Sequence, residues 1–286
     1  MHGRLPVAAY LILQQIALTL GVNVMPLMSA TLSEITSNAR LKDYPAFSVL
    51  QVANAPIFRQ PGYEPRQRGY DVPPKGEAAD PERSKESSRN RAKAAVRDIA
   101  FCNHFDYFLT WTLDPKLIDR YDPEIVGKKV RSFLMNASNR KGFLYVVVPE
   151  LHKDGAIHLH GLCKLGSVRI ERGVNPYTGK ELSTEHNQPI YNMVDWKFGH
   201  STCIPIDENY ERTCNYLVKY IDKGTDKIFG KWYYSSRSLV KRPPVELVDG
   251  VDYDGFRADN PKLPEIPLYR DIRMVSMNLA GEGALL

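Results

Sequence analysis

Leu144-Tyr-Val-Val-Val-Pro-Glu-Leu-His-Lys-Asp-Gly-Ala-Ile-His-Leu-His-Gly-Leu-Cys-Lys-Leu165 is the stretch whose reading decides the fold. Two apolar, β-branched runs flank Lys153-Asp154-Gly155, so the segment reads as strand, turn, strand. The turn length sets which residues face each other. A two-residue Asp-Gly turn would pair Glu150 with Leu159. A three-residue Lys-Asp-Gly loop, with Gly155 left-handed in a bulge, pairs His152 with Ala156 and Glu150 with His158. Glycine tolerates positive φ, so the second register is expected. Side chains alternate along a strand, so this register places Glu150, His158 and His160 on one face and Leu159 on the other. His152 shares the first face and reads as a loop-edge residue.

Working outward, Tyr107–Leu113 (YFLTWTL) is strand-like. Asp122-Pro123 supplies an N-cap followed by proline at the first helical position. Val126, Val130, Phe133, Leu134 and Ala137 continue that helix at helical spacing, and Asn139–Gly142 ends it. Ser87–Ala100 reads as a helix through Ala92, Ala95, Val96 and Ile99. Ser167–Asn192 is polar and turn-rich, a protruding loop or hairpin. A further strand is expected around Ser201–Ile204, and a helix over Asp207–Lys223. The order strand, helix, strand, strand, strand, helix gives an α+β fold, a central antiparallel sheet with helices packed to one side. Thr31–Gly62 reads as short strands with turns, and Tyr63–Glu86 as a linker or exposed arm. The expected division is therefore residues 1–30, an apolar segment; 31–86, an extension and linker; 87–240, the main domain; and 241–286, an acidic tail.

The chain of 286 residues is 43% hydrophobic and 25% charged, enough for a sizeable core. Its net charge of +5 is mild, but the distribution is uneven. Arg212–Arg242 holds eight basic and two acidic residues, whereas from Glu246 onward eight acids face four bases. The four cysteines show no metal-ligand spacing and no disulfide framework, which fits a reducing, cytoplasmic setting in a bacterial host cell. Leu5–Ala30 is largely apolar and resembles a signal peptide or a marginal membrane span. Gln14, Gln15, Asn23 and Pro26 weaken a span, and the cytosolic character downstream favours a start at Met25 or Met28. No membrane partner is expected unless this segment is real and inserted.

Two imidazoles side by side with a carboxylate in register suit a divalent cation such as Mg²⁺ or Mn²⁺. The expected metal ligands are Glu150, His158 and His160. On the helix ending at Lys223, each residue advances about 100°. Tyr216, Lys219, Tyr220 and Lys223 fall within an arc of about 100°, with Cys214, Leu217, Val218 and Ile221 on the far side. A phenol with a pKa near ~10 is a poor nucleophile at neutral pH, and nearby ammonium groups favour its ionised form and hold phosphate. These four are the expected catalytic residues. Each feature alone has a plainer reading: a polar surface histidine pair, or aromatic residues bracing one helix. Phe229–Leu239 (FGKWYYSSRSL) interleaves aromatic and basic residues, so Lys227, Lys231, Trp232 and Arg237, with Arg212, are expected DNA contacts.

Taken together, these residues resemble the HUH endonucleases, in the two-tyrosine branch of phage and plasmid rolling-circle replication initiators. Phe108-Leu-Thr-Trp-Thr-Leu113 looks like the first family motif, Ile157-His-Leu-His-Gly161 like the metal motif, and Tyr216-Leu-Val-Lys219 with Tyr220-Ile-Asp-Lys223 like the doubled Tyr-x-x-Lys motif. The resemblance covers about residues 100–240. It implies the ferredoxin-like nuclease fold of that family, Mg²⁺ or Mn²⁺, and a 5′-phosphotyrosine intermediate. It also implies nicking and rejoining of single-stranded or cruciform origin DNA, with host helicase and polymerase as partners. Gly173–Glu181 is a near miss for a phosphate-binding loop, with five residues between its glycines and Glu181 in place of Ser or Thr, so it reads as a loop tip. The alternatives are a transposase with the same residues acting on mobile-element ends, and a DNA-binding repressor that does not cut. A conjugative relaxase would usually bring a third histidine, and a histidine-triad hydrolase would need one where Leu162 stands.

Overall fold

The computed structural model describes residues 36–59, 77–223, 226–248, 250–268 and 271–280. The chain divides into two compact units, one formed by residues 1–70 with 244–286 and the other by residues 71–243. The first unit begins with β1 (Thr36–Ser37), β2 (Ala39–Asp43), β3 (Phe47–Ala53) and β4 (Phe58–Arg59). The second runs α1 (Pro81–Asn103), β5 (Tyr107–Leu113), α2 (Pro123–Lys141), β6 (Leu144–Leu151), β7 (Ile157–Lys164), β8 (Ile170–Arg172), β9 (Tyr191–Met193), β10 (Gly199–Pro205), α3 (Tyr210–Lys223) and β11 (Tyr234–Ser235). The chain then returns to the first unit with β12 (Val245–Val248), α4 (Tyr253–Asp259), β13 (Glu265–Pro267) and β14 (Arg273–Ala280).

The larger unit is built on a seven-stranded antiparallel sheet in the order β11-β6-β7-β5-β10-β9-β8, so the fold is α+β as expected. Its central hairpin takes the three-residue register. The His152 N–H donates to the Ala156 carbonyl at 2.8 Å, the Gly155 N–H to the His152 carbonyl at 2.8 Å, and Gly155 has φ +84°. Glu150 therefore faces His158 and Val148 faces His160. Alternation gives the sheet two apolar faces. On one, Leu109, Trp111, Val147, Ile157, Leu159 and Cys163 pack with Val126, Val130, Leu134 and Ala137 of α2. On the other, Val146, Val148 and Leu162 are buried, as are Leu217, Val218 and Ile221 of α3 and Val96 and Ile99 of α1.

Helices thus cover both faces, not the one face expected. The cause is visible in Val146-Val147-Val148: such a run is apolar on both sides, and each side demands a cover. The caps form where aspartate precedes proline. Asp122 accepts from the N–H groups of Glu124 at 2.7 Å and Ile125 at 3.1 Å, and Gly142 ends α2 at φ +66°. Asp80 caps α1 in the same way, accepting from the Arg83 N–H at 3.0 Å, so α1 starts earlier than Ser87. Tyr210 fastens α3 to the end of α1: its hydroxyl donates to the Ala100 carbonyl at 2.7 Å and accepts from the Phe105 N–H at 2.8 Å.

The smaller unit is a five-stranded antiparallel sheet in the order β12-β2-β3-β14-β13. Ala39, Leu50, Val52 and Val275 form its core with Phe256 of α4. The segment expected as an acidic tail therefore supplies three strands and a helix. Its apolar residues alternate, so Val275 and Met277 share the inner face, while the acids lie mostly at exposed or half-exposed positions. Glu265, for example, accepts from the Tyr253 hydroxyl at 2.7 Å and pairs with Arg273 at 3.3 Å. The apolar segment 1–30 and the linker over 63–76 lie outside the described residues. Among the described residues no helix is long and apolar enough to cross a membrane.

Candidate active site

The face of the sheet carrying Glu150 is polar at one end of its central strands. Opposite His158 stands Thr112, and opposite His160 stands Thr110. Beyond Thr112, on β10, stands His200. Glu150, His158, Thr112 and His200 thus form one row across four strands, and Val148, His160, Thr110 and Thr202 the next. His200 is exposed. It was not among the expected site residues, and the signal that could have found it is the pairing of β10 with β5, one strand beyond the histidine hairpin.

Helix α3 crosses this same face. The Tyr220 ring, 6% exposed, stacks on His160 with centroids 3.7 Å apart and planes 12° from parallel. Its hydroxyl donates to that of Tyr216 at 2.8 Å. Tyr216 is 48% exposed, and its ring lies 5.7 Å from that of Phe108. Lys223, one turn beyond Tyr220, pairs its ammonium with Glu150 Oε1 at 2.9 Å and stands 4.6 Å from the Tyr220 ring centre. The apolar residues of α3 are buried, as its helical arc requires. The hairpin and the tyrosine helix are therefore brought together as the sequence indicated.

His160 lies between two partners. Nε2 is 2.8 Å from Glu150 Oε2, and Nδ1 is 3.2 Å from Thr110 Oγ1. Burial pulls its pKa down to about 4, against the opposing pull of Glu150. The ring is thus neutral at pH 7, with Nε2–H donating to the carboxylate and Nδ1 accepting from the threonine hydroxyl. Burial also lowers the pKa of His158, helped by His152, whose ring stacks on it at 5.0 Å. Neutral imidazoles are the form that binds metals. Burial raises the pKa of the Tyr220 phenol far above its ordinary value, and its hydrogen bond to Tyr216 adds to the rise. Tyr220 is therefore held protonated, as a donor.

Among the described residues, no group of three His, Cys, Asp or Glu side chains is arranged to hold a metal ion. Glu150, His158 and His160 share a face, but Glu150 is engaged by His160 and Lys223, while His158 leans on His152. The donor chemistry and the backbone register fit a divalent cation. The side-chain rotamers would have to turn to meet it.

The remaining expected residues are spread out. Lys219 and Arg212 are exposed on α3 and take no part in the contacts around Glu150. Lys227 stands 6.0 Å from the Trp232 ring and Lys231 5.7 Å from that of Tyr234, beside a cavity of about 420 Å³. Trp232 differs from expectation. It is 8% exposed and its indole N–H donates to Ser88 Oγ at 3.1 Å, so its ring braces α1 and is not open to a base. Half-buried Tyr233 and Tyr234 are the aromatics left facing that cavity. Arg237 is exposed. Gly173–Glu181 forms a loop tip, with Tyr177 94% exposed.

Residues 106–225, under half of the chain, match a family model described as Replication-associated protein, of the ORF2 type. The match begins just before β5 and ends just after α3, so it spans the hairpin and the tyrosine helix. No curated protein and no solved structure matches the chain.

Proposed function

We propose that this chain is a rolling-circle replication initiator that nicks and rejoins single-stranded DNA through a phosphotyrosine, with Mg²⁺ or Mn²⁺ held by Glu150, His158 and His160. The observation that carries the reading is the placement of α3: Tyr220 stacks on His160 and donates its hydroxyl proton in a hydrogen bond to Tyr216. The similarity of residues 106–225 to replication-associated proteins supports it. A bound divalent cation would supply Lewis-acid polarisation of the scissile phosphate.

The chain's own residues divide the remaining work. Tyr216 is the exposed phenol, and its oxygen already accepts a hydrogen bond, so the first attack falls to it. That oxygen bonds to phosphorus, the bond from phosphorus to the 3′-oxygen breaks, and the departing oxygen takes up a proton. The phosphotyrosine conserves the energy of the broken bond, so the 3′-hydroxyl can reverse the step without ATP. Tyr220 steadies the phenolate of Tyr216 as a donor, and serves as the second nucleophile once strand binding frees it from His160. Lys219 and Lys223 offset charge on the phosphate. The basic and aromatic segment around Lys227, Lys231 and Tyr234 guides the unpaired strand.

The test is incubation with short single-stranded oligonucleotides and Mn²⁺, followed by denaturing electrophoresis. A covalent adduct is expected that chelator prevents and that the Tyr216→Phe/Tyr220→Phe double variant does not form. Adduct formation by that variant would reject the nucleophiles, and full activity of His158→Ala would reject the metal role. A second reading, a DNA-binding repressor, draws on the engagement of Glu150 by Lys223. It predicts DNA retention with no adduct under any divalent cation.

A further inference from the structure

On the sheet face opposite the tyrosines, α2 and the turn before β10 enclose a groove of about 420 Å³. This is the size range of pockets that take small organic groups. Its floor is aromatic. Half-buried Phe133 and Phe198 meet there, each packed edge-on against buried Trp196, at 5.2 Å. Its rim is cationic. Lys129 and Arg140 project from one face of α2, and Lys197 from the facing turn, all three exposed.

The charges at the rim are not balanced among the described residues. The carboxylate that lines the groove, Asp195, is already taken: it pairs with Lys141 at 2.6 Å and accepts from the Arg169 N–H at 3.1 Å. Lys141 holds the Asp195 carboxyl below its ordinary pKa, so it stays ionised and committed. Among the described residues no carboxylate pairs with Lys129, Arg140 or Lys197. An apolar, flat floor ringed by three such cations matches the two halves of a nucleotide, a base with a π-face and an anionic phosphate.

We propose that this groove holds a nucleotide of single-stranded DNA, its base against Phe198 and Phe133 and the adjoining phosphates on Lys129, Arg140 and Lys197. The protein would then grip one strand on both faces of a single sheet, through a contact separate from the proposed cleavage chemistry. Such a contact sets register and affinity without touching the reacting phosphate.

The test measures binding of the full chain to a fluorescent oligothymidylate by anisotropy, in EDTA, from 50 to 200 mM salt. Each phosphate contact on a single strand contributes about −0.7 to the slope of log affinity against log salt, so three contribute about −2.1. Over a fourfold rise in salt, the native chain should lose roughly 20-fold more affinity than Lys129→Ala/Arg140→Ala/Lys197→Ala. Phe198→Leu, which keeps an apolar floor without a π-face, should bind about fivefold or more weakly with the native slope. A control, Lys116→Ala/Lys128→Ala/Lys180→Ala, removes the same charge elsewhere and should keep the native slope. Native behaviour of both groove variants, or an equal slope change in the control, would overturn the proposal. So would variants that lose only free dATP binding, which would mark a free-nucleotide pocket. The assay involves no cleavage, so a chain that never forms an adduct but shows these losses would remove the nuclease reading and leave the groove standing.

Discussion

Changing Tyr216 and Tyr220 to phenylalanine one at a time separates two roles that sequence alone leaves equal. Tyr216→Phe removes the exposed phenol oxygen, and with it the atom that would bond to phosphorus. Tyr220→Phe keeps the ring that stacks on His160 at 3.7 Å and removes only the hydroxyl that donates to Tyr216 at 2.8 Å. A hydrogen bond to a charged group is worth about 1.5–3 kcal/mol, and here the charge is the phenolate developing on Tyr216. Since each ~1.36 kcal/mol is tenfold in rate, Tyr220→Phe should slow the first adduct roughly 10- to 150-fold. Tyr216→Phe should slow it far more, to the background rate. The assay is the initial rate of covalent adduct formation on a single-stranded oligonucleotide with saturating Mn²⁺, resolved by denaturing electrophoresis. Equal abolition by both changes would refute the division of labour, and a near-native rate for Tyr216→Phe would reverse it.

Three further outcomes follow from the fold. Leu159 is fully buried on the α2 side of the sheet, so Leu159→Ala should cost about 2–5 kcal/mol in urea unfolding, and a loss well under that range would mean the two faces are misassigned. A Cβ at Gly161 would stand 2.6 Å from the Val146 carbonyl oxygen and 2.9 Å from Val147 Cγ2, so Gly161→Ala should destabilise by about 1–3 kcal/mol and loosen β6 from β7; unchanged stability would contradict that close approach. Asp195 has its pKa lowered by Lys141, so its contribution to stability is present above its ordinary value of 3.8 and is lost as pH falls through the depressed folded value. Asp195→Asn should therefore unfold more readily than the native chain at pH 7, with the gap closing below pH 3.8; a gap independent of pH would reject the ion pair as its source.

The hairpin was legible because its turn chemistry admits one register that puts the polar residues together, and Gly155 at positive φ meets that demand. The tyrosine helix was legible because its apolar and polar arcs are cleanly divided. Several things were not. Which face a helix covers depends on partners that a strand such as Val146-Val147-Val148 does not name, so the pattern of elements alone leaves α2 on the same side as α3. The exposure of Tyr216 and burial of Tyr220 follow from the offset of α3 along β7, a rigid-body quantity no local pattern carries. Trp232 looked like a base-stacking residue because its neighbours are basic, but Ser88, far away in sequence, holds its indole. The strands β12 and β14 were hidden because acidic residues dominate the average of their segment, while the alternation that makes a strand lies beneath it. His200 required knowing that β10 lies beside β5.

The Lys223–Glu150 contact bears directly on how the proposed site would be switched on. Glu150 carries one negative charge and is shared by an ammonium at 2.9 Å and an imidazole N–H at 2.8 Å. At an effective dielectric of about 20, two unit charges ~4 Å apart interact by about 4 kcal/mol, so an ammonium beside a divalent cation would be opposed by about twice that. Lys223 therefore has to leave Glu150 if the carboxylate is to act as a ligand. Its side chain is more than half exposed and springs from the same helix as both phenols, so it can swing without disturbing the fold. An anion must receive it, and on the proposed reading the phosphate lying across Tyr216 is at hand. Strand and cation would then favour one another's arrival, because each relieves the charge conflict the other creates. In this light the ion pair that keeps the ligand group from assembling is consistent with a nuclease, whose resting state holds its carboxylate in check until DNA is present.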